Sequence, residues 1–167
     1  MKIDILFLDN DLSDHEEYFD NQTIKEYCET HSFEGEKNQI LSVPPSYSKS
    51  QNLTFLVGLG ENKVDNNFYD IGTLIGSKIK SDAEIKFLNF EEEKNLIIDG
   101  ILYVQYKFNN YKSEDDSSIN NITFKDIDSS VNEIKKDSVF WVRDLINTPA
   151  LDKSPCLLYT SPSPRDF

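Results

Sequence analysis

The stretch Leu53–Gly60, LTFLVGLG, decides how the chain is read. A continuous apolar run bounded by loop residues is what a strand covered on both faces of an α/β sheet looks like, because both of its side-chain rows must leave water. Beyond Gly60 the period changes. Phe68, Ile71, Ile75 and Ile79 recur at spacings of three and four, so the pattern predicts a helix over about 67–80 whose apolar face packs on the sheet.

Working outward, Lys2–Leu8 reads as a buried opening strand stopped by Asp9-Asn10-Asp11, and Gln39–Val43 as a short strand ended by Pro44-Pro45. The segment AEIKFLNF, residues 83–90, is the next strand. Glu91-Glu92-Glu93 then places negative charge where a helix's first turn favours it, and Ile97, Ile101, Val104 and Phe108 follow on one face. INNITFKD, residues 119–126, reads as a strand. A last helix from about Ser130 carries Val131, Ile134, Val142 and Leu145. Residues 10–37 are acidic and give no clear period. Strands alternating with helices predict an α/β fold with a mainly parallel sheet.

The composition excludes some partners. The 167 residues carry 17 basic and 30 acidic side chains, a formal charge of −13, which repels phosphate backbones and anionic lipid. Nucleic acid and membrane are therefore not expected. The first apolar run is too short and too soon broken by Asp4, Asp9 and Asp11 to be a secretory signal, so a cytoplasmic protein is expected. Cys28 and Cys156 read as free thiols, since no close Cys or His partner supplies a metal cluster or disulfide framework. Sequons at Asn21, Asn52 and Asn121 carry no weight without a secretory signal.

The motifs that invite chemistry are weak. Gly58-Leu59-Gly60-Glu61-Asn62-Lys63 invites a phosphate cradle, but Lys63 stands where the third glycine of the dinucleotide fingerprint belongs, and a plain tight turn is the expectation. His15 beside Glu16 and Glu17 lacks a second histidine at helical spacing, and His31 stands alone; both are expected at the solvated surface. Tyr103, Tyr106, Phe108 and Tyr111 form an aromatic tract at helical spacing, expected to pack rather than to stack a ligand. No Gly-x-Ser-x-Gly elbow or nucleophile–base pair is present. No residue of this chain is assigned as catalytic, cofactor-binding or metal-binding.

Three segments together resemble the N-terminal domain of the cytosol (leucyl) aminopeptidase family: FLVGLGEN at Phe55–Asn62, IDGILYVQYKFNNYKS at Ile98–Ser113, and VRDLINTPALDKSP at Val142–Pro155. Their order and intervals agree over most of Leu53–Pro155, while Leu151 departs from the polar residue usual in the family. The resemblance implies a macro-like three-layer domain with a mixed, mainly parallel central sheet flanked by helices. It implies a non-catalytic domain over residues 1–140 and a connector over 141–155, its helix ending near Ile146–Thr148 before Pro149. Peptide hydrolysis with two divalent ions, zinc or manganese, and a hexameric assembly are implied for a parent whose metal-binding segments lie downstream. The family's Asn-Thr-Asp-Ala-Glu-Gly-Arg signature has no counterpart here. Residues 156–167, CLLYTSPSPRDF, look like translated sequencing-adapter text and are expected to be non-native. A stand-alone macro-like module binding a nucleotide, ADP-ribose or a protein is the alternative.

Overall fold

The computed structural model describes residues 1–9, 18–19, 21–61, 67–90, 93–109 and 120–152, the side chains of 21–23 excepted. Five strands and four helices follow one another as β1 (Lys2–Leu8), α1 (Asn21–Thr30), β2 (Ile40–Val43), β3 (Leu53–Gly58), α2 (Phe68–Lys78), β4 (Ala83–Phe87), α3 (Lys94–Tyr103), β5 (Ile122–Phe124) and α4 (Ser130–Asn147). The strands lie in the order β2-β3-β1-β4-β5. All neighbours are parallel except β2, which runs antiparallel to β3. The sheet is therefore mixed and mainly parallel, as the pattern predicts.

The pleat of β1 separates two cores. Ile3, Ile5 and Phe7 join Phe55, Val57 and the buried faces of α2 and α3, whereas Leu6 and Leu8 meet Leu56, Ile24, Cys28 and Phe33 on the α1 side. Strands β1 and β3 thus bury both of their side-chain rows, which is why LTFLVG has no polar alternation. The α1 side is covered only over β2, β3 and β1. On β4 burial alternates, leaving Glu84 and Lys86 exposed, and Thr123 of β5 is exposed on the same face.

Helices α2 and α3 touch backbone to backbone. A Cβ on Gly100 would collide with the carbonyl oxygen of Tyr69 and lie 2.9 Å from the Thr73 nitrogen; one on Gly72 would collide with the Ile97 carbonyl. Glycine is required here by proximity. Helix α3 ends at Tyr103, so of the aromatic tract only Tyr103 is helical; Val104 caps the end, Tyr106 and Phe108 lie beyond it, and Tyr111 is outside the described residues. The reason is tertiary: Gln105 turns inward, donating its amide to the Gly76 carbonyl at 2.9 Å and accepting from Asn120 at 3.1 Å. At the other end, Glu93 occupies the cap position with φ 52° and the first turn contains no acidic residue, which corrects the expected placement of the glutamates; Glu91 and Glu92 are outside the described residues.

Helix α4 ends before Pro149 with Thr148 extended, where the sequence predicts its end, and it runs unbroken through positions 140 and 141. Most of its apolar residues are not its docking face, however, although Phe140 meets the Tyr106 ring edge-on with centroids 5.2 Å apart. Val131, Ile134, Val142 and Ile146 are exposed, Trp141 and Leu145 are half-buried, and Asn132 is its one buried residue. A polar seam holds it to α3 instead. Asn132 donates to Asp99 at 2.7 Å and to the Asn95 carbonyl at 3.0 Å, Lys135 pairs with Asp99 at 3.3 Å, and Arg143 donates to the Tyr103 carbonyl at 2.9 Å.

The Tyr106 hydroxyl closes this seam, donating to Asp144 at 2.8 Å and accepting from Asn147 at 3.0 Å. Burial pushes the Tyr106 phenol above its ordinary value, with the Asp144 carboxylate acting in the same direction; Tyr103 is raised by burial and then by Asp99. A raised phenol stabilises the fold fully below the unfolded value of about 10, and the contribution is lost as pH climbs through the folded value. Tyrosinate absorbance followed together with helical circular dichroism is expected to show helix loss and phenol ionisation coinciding above that pH. In Tyr106→Phe the two should separate.

Candidate functional site

The Gly-Leu-Gly turn sits at the carboxyl end of β3, where α/β sheets often hold ligands, but its amides are occupied. Gly58 N–H donates to the Gln39 carbonyl at 2.9 Å, Leu59 N–H to Leu8 at 2.8 Å, and Gly60 N–H to Gly35 at 2.9 Å. The 34–39 loop lies against this turn so closely that a Cβ on Gly58 would collide with the Glu36 carbonyl, and Gly60 has φ +72°. The glycines serve backbone packing, and no free N–H of these three remains for a phosphate. Adding ADP-ribose or a nucleotide is accordingly expected to leave Tm unchanged; a saturable rise would revive the nucleotide-binding reading.

The other nominated residues do not converge. His31 is exposed and packs on Tyr27 with the rings tilted by 48° and centroids 4.4 Å apart, whereas His15, Glu16, Glu17 and Cys156 are outside the described residues. Cys28 is a buried free thiol, and desolvation pushes it up to about 11, which keeps it protonated and unreactive at neutral pH. Among the described residues no group of three or more His, Cys, Asp or Glu side chains is placed to hold a metal ion.

A cavity of about 320 Å³ lined mostly by polar residues opens on the α1 side of the sheet, beyond the part α1 covers. Its wall on β1 is Asp4, a carboxylate only 3% exposed. Asp4 Oδ2 accepts the Ser50 hydroxyl at 2.6 Å and the Asn52 amide at 3.2 Å, which ties the loop entering β3 to the centre of the sheet. Lys86 lines it beside Asp4 on the neighbouring strand, with Lys125 and Lys49 also in its wall, and an apolar edge is supplied by Leu88, whose carbonyl accepts the Tyr18 hydroxyl at 3.1 Å. The sequence reading misses this cluster. Asp4 there figures only as a break in an apolar run and Asn52 only as a sequon; a lone Asp in a run otherwise buried is the one local signal of it.

No family model matches the sequence, and no curated protein matches it either. Solved structures do. A tomato leucine aminopeptidase variant aligns with TM-score 0.65 at 16% identity, over 94% of this chain and 37% of its own. The cytosol aminopeptidase of Coxiella burnetii aligns with TM-score 0.66 at 22% identity, over 95% of this chain and 34% of its own. A bottromycin maturation enzyme in complex with manganese aligns with TM-score 0.66 at 11% identity, over 94% and 34%. The class defined by these likenesses is an α/β domain with a fold found in leucine and cytosol aminopeptidases. The chain spans about a third of the length of the structures it matches.

Proposed function

We propose that this chain is the N-terminal, non-catalytic domain of a metal-dependent leucyl aminopeptidase, a cytoplasmic hydrolase that releases N-terminal amino acids from peptides. The observation that carries the reading is the asymmetry of the alignments: nearly all of this chain matches about a third of each aminopeptidase, leaving the larger share of those proteins for the chemistry. The order of the FLVGLGEN, IDGILYVQYKFNNYKS and VRDLINTPALDKSP segments supports it independently.

The residues described here do not fit a catalytic metal pair, since they offer no cluster of ligands. No step of hydrolysis is routed through them. What the domain contributes in this reading is assembly or regulation within a homo-oligomer, a hexamer by family resemblance, with residues 141–155 as the connector. A following domain would also give the exposed stripe of Val131, Ile134, Val142 and Ile146 on α4 a partner, since helices joining two domains bury surface on both.

The test compares two proteins. This chain, purified, is expected to leave leucine amides intact with zinc or manganese added, whereas a longer protein translated from any open frame that continues beyond Pro155 is expected to hydrolyse them. Metal-dependent turnover by the chain alone, or a longer frame without peptidase activity, would overturn the proposal.

A further inference from the structure

Lys86 and Lys125 stand beside each other, and Asp4 stands beside Lys86, in one row across three strands. Asp4 is the register partner of Lys86. Ile85 is the partner of Phe124, and the Lys125 N–H donates to the Ile85 carbonyl at 2.8 Å, which extends the register by one residue to bring Lys125 alongside Lys86. Two ammonium groups side by side on adjacent strands repel, an arrangement that sheets ordinarily avoid. With 30 acidic residues in the chain, neutralising partners are plentiful, yet neither lysine makes an ion pair with a described residue. The Asp4 carboxylate, for its part, takes hydrogen bonds among the described residues only from a hydroxyl and a neutral amide, both on Oδ2.

We propose that this cavity binds a small zwitterion of the α-amino acid type. Its carboxylate would lie between the Lys86 and Lys125 ammonium groups, its ammonium against the Asp4 carboxylate, and its side chain along Tyr18 and Leu88. The charge pattern selects the class. A simple anion meets the like charge of Asp4, and a simple cation meets Lys86 and Lys125 with Lys49, a third lysine lining the cavity; only a ligand carrying both charges is attracted at each end. The volume of about 320 Å³ lies at the small end of the roughly 300–1,000 Å³ usual for ligand sites, which suits an amino acid better than a nucleotide. Because both lysines are exposed, screening keeps the affinity modest, in the millimolar range or somewhat tighter.

Free amino acids are what the activity proposed above would release, so the purpose of the site rests on that reading. Its chemistry does not. The test is therefore a titration of this chain, with no hydrolysis involved, by glycine and by leucine, and in separate arms by acetate, methylammonium and inorganic phosphate. Backbone amide resonances of Asp4, Asn52, Lys86 and Lys125 are expected to shift saturably with the amino acids and to shift less, without saturating in the same range, with the three simple ions. Lys86→Gln and Lys125→Gln should each weaken amino-acid binding by about 10-fold or more, the loss usual for one hydrogen bond to a charged group, while the unliganded fold keeps its Tm or gains slightly as the repulsion is removed. No saturable shift, unchanged affinity in both variants, or phosphate binding as tightly as the amino acids would each overturn the proposal, the last in favour of a plain anion site.

Discussion

Gly100→Ala is expected to lower unfolding free energy by about 3 kcal/mol, the upper end of what overpacking in a close-packed interior usually costs. The added methyl meets the Tyr69 carbonyl and the Thr73 nitrogen, both backbone atoms of α2. A flexible side chain would yield by changing rotamer, but a helix backbone yields only if the whole helix moves. The helix-propensity gain of alanine over glycine, about 1 kcal/mol, is too small to offset this. Urea unfolding should show the midpoint falling with m unchanged, and Tm dropping by roughly 6–12 °C for a chain of this size. Gly72→Ala forces the same two helices apart against the Ile97 carbonyl, so the double variant should be less destabilised than the sum of the singles. Stability equal to the parent in Gly100→Ala would show that α2 and α3 do not lie in backbone contact.

The second large effect is expected at the α3–α4 seam. Asp99→Ala removes the acceptor at 2.7 Å from Asn132 and the partner of Lys135, and Asn132→Ala leaves Asp99, 7% exposed, without its shorter hydrogen bond. Each should cost about 2 kcal/mol, mostly the penalty of stranding a buried polar group, since the ion pair with the half-exposed Lys135 contributes little by itself. Because Asn132 is the one buried residue of α4, the loss should appear as local opening. Amide exchange in α4 is expected to accelerate roughly 30-fold, as about 1.4 kcal/mol corresponds to tenfold, while β1 and β3 keep their protection. The double variant should open no more easily than either single one. Equal acceleration in the central strands would instead mean that α4 and the sheet unfold as one unit.

Much of the architecture is legible in the chain because it depends on neighbours in sequence. The apolar runs of Lys2–Leu8 and Leu53–Gly58, the three-and-four spacing from Phe68 to Ile79 and the stop before Pro149 are local patterns, and the strands and helices lie where those patterns place them. Helix α1 is not legible in this way. Its described apolar positions on the covered side are few, Ile24 and Cys28 foremost, in an acidic stretch, so its place is decided by the Leu6–Leu56 surface waiting for it. The end of α3 is likewise decided from outside, by Gln105 reaching Gly76, and no periodicity of its own forbids it from continuing through Phe108.

The candidate site belongs wholly to the second kind. Asp4, Asn52, Lys86 and Lys125 are far apart in the chain, and each alone is an ordinary polar residue. Only the parallel register of β3, β1 and β4, carried one step past β5, sets them on one face. Register in a sheet is fixed by pairing between distant segments, and a slip of one residue would turn each of these side chains to the other face. The sequence by itself thus determined the kind of layers, the acidic charge and the helix stop, all set by composition or by contacts within a few residues. The tertiary structure alone decided which amides of the glycine turn are occupied, which glycines let two helices meet, and which charges stand together, because each of those depends on what distant backbone brings within a few ångströms.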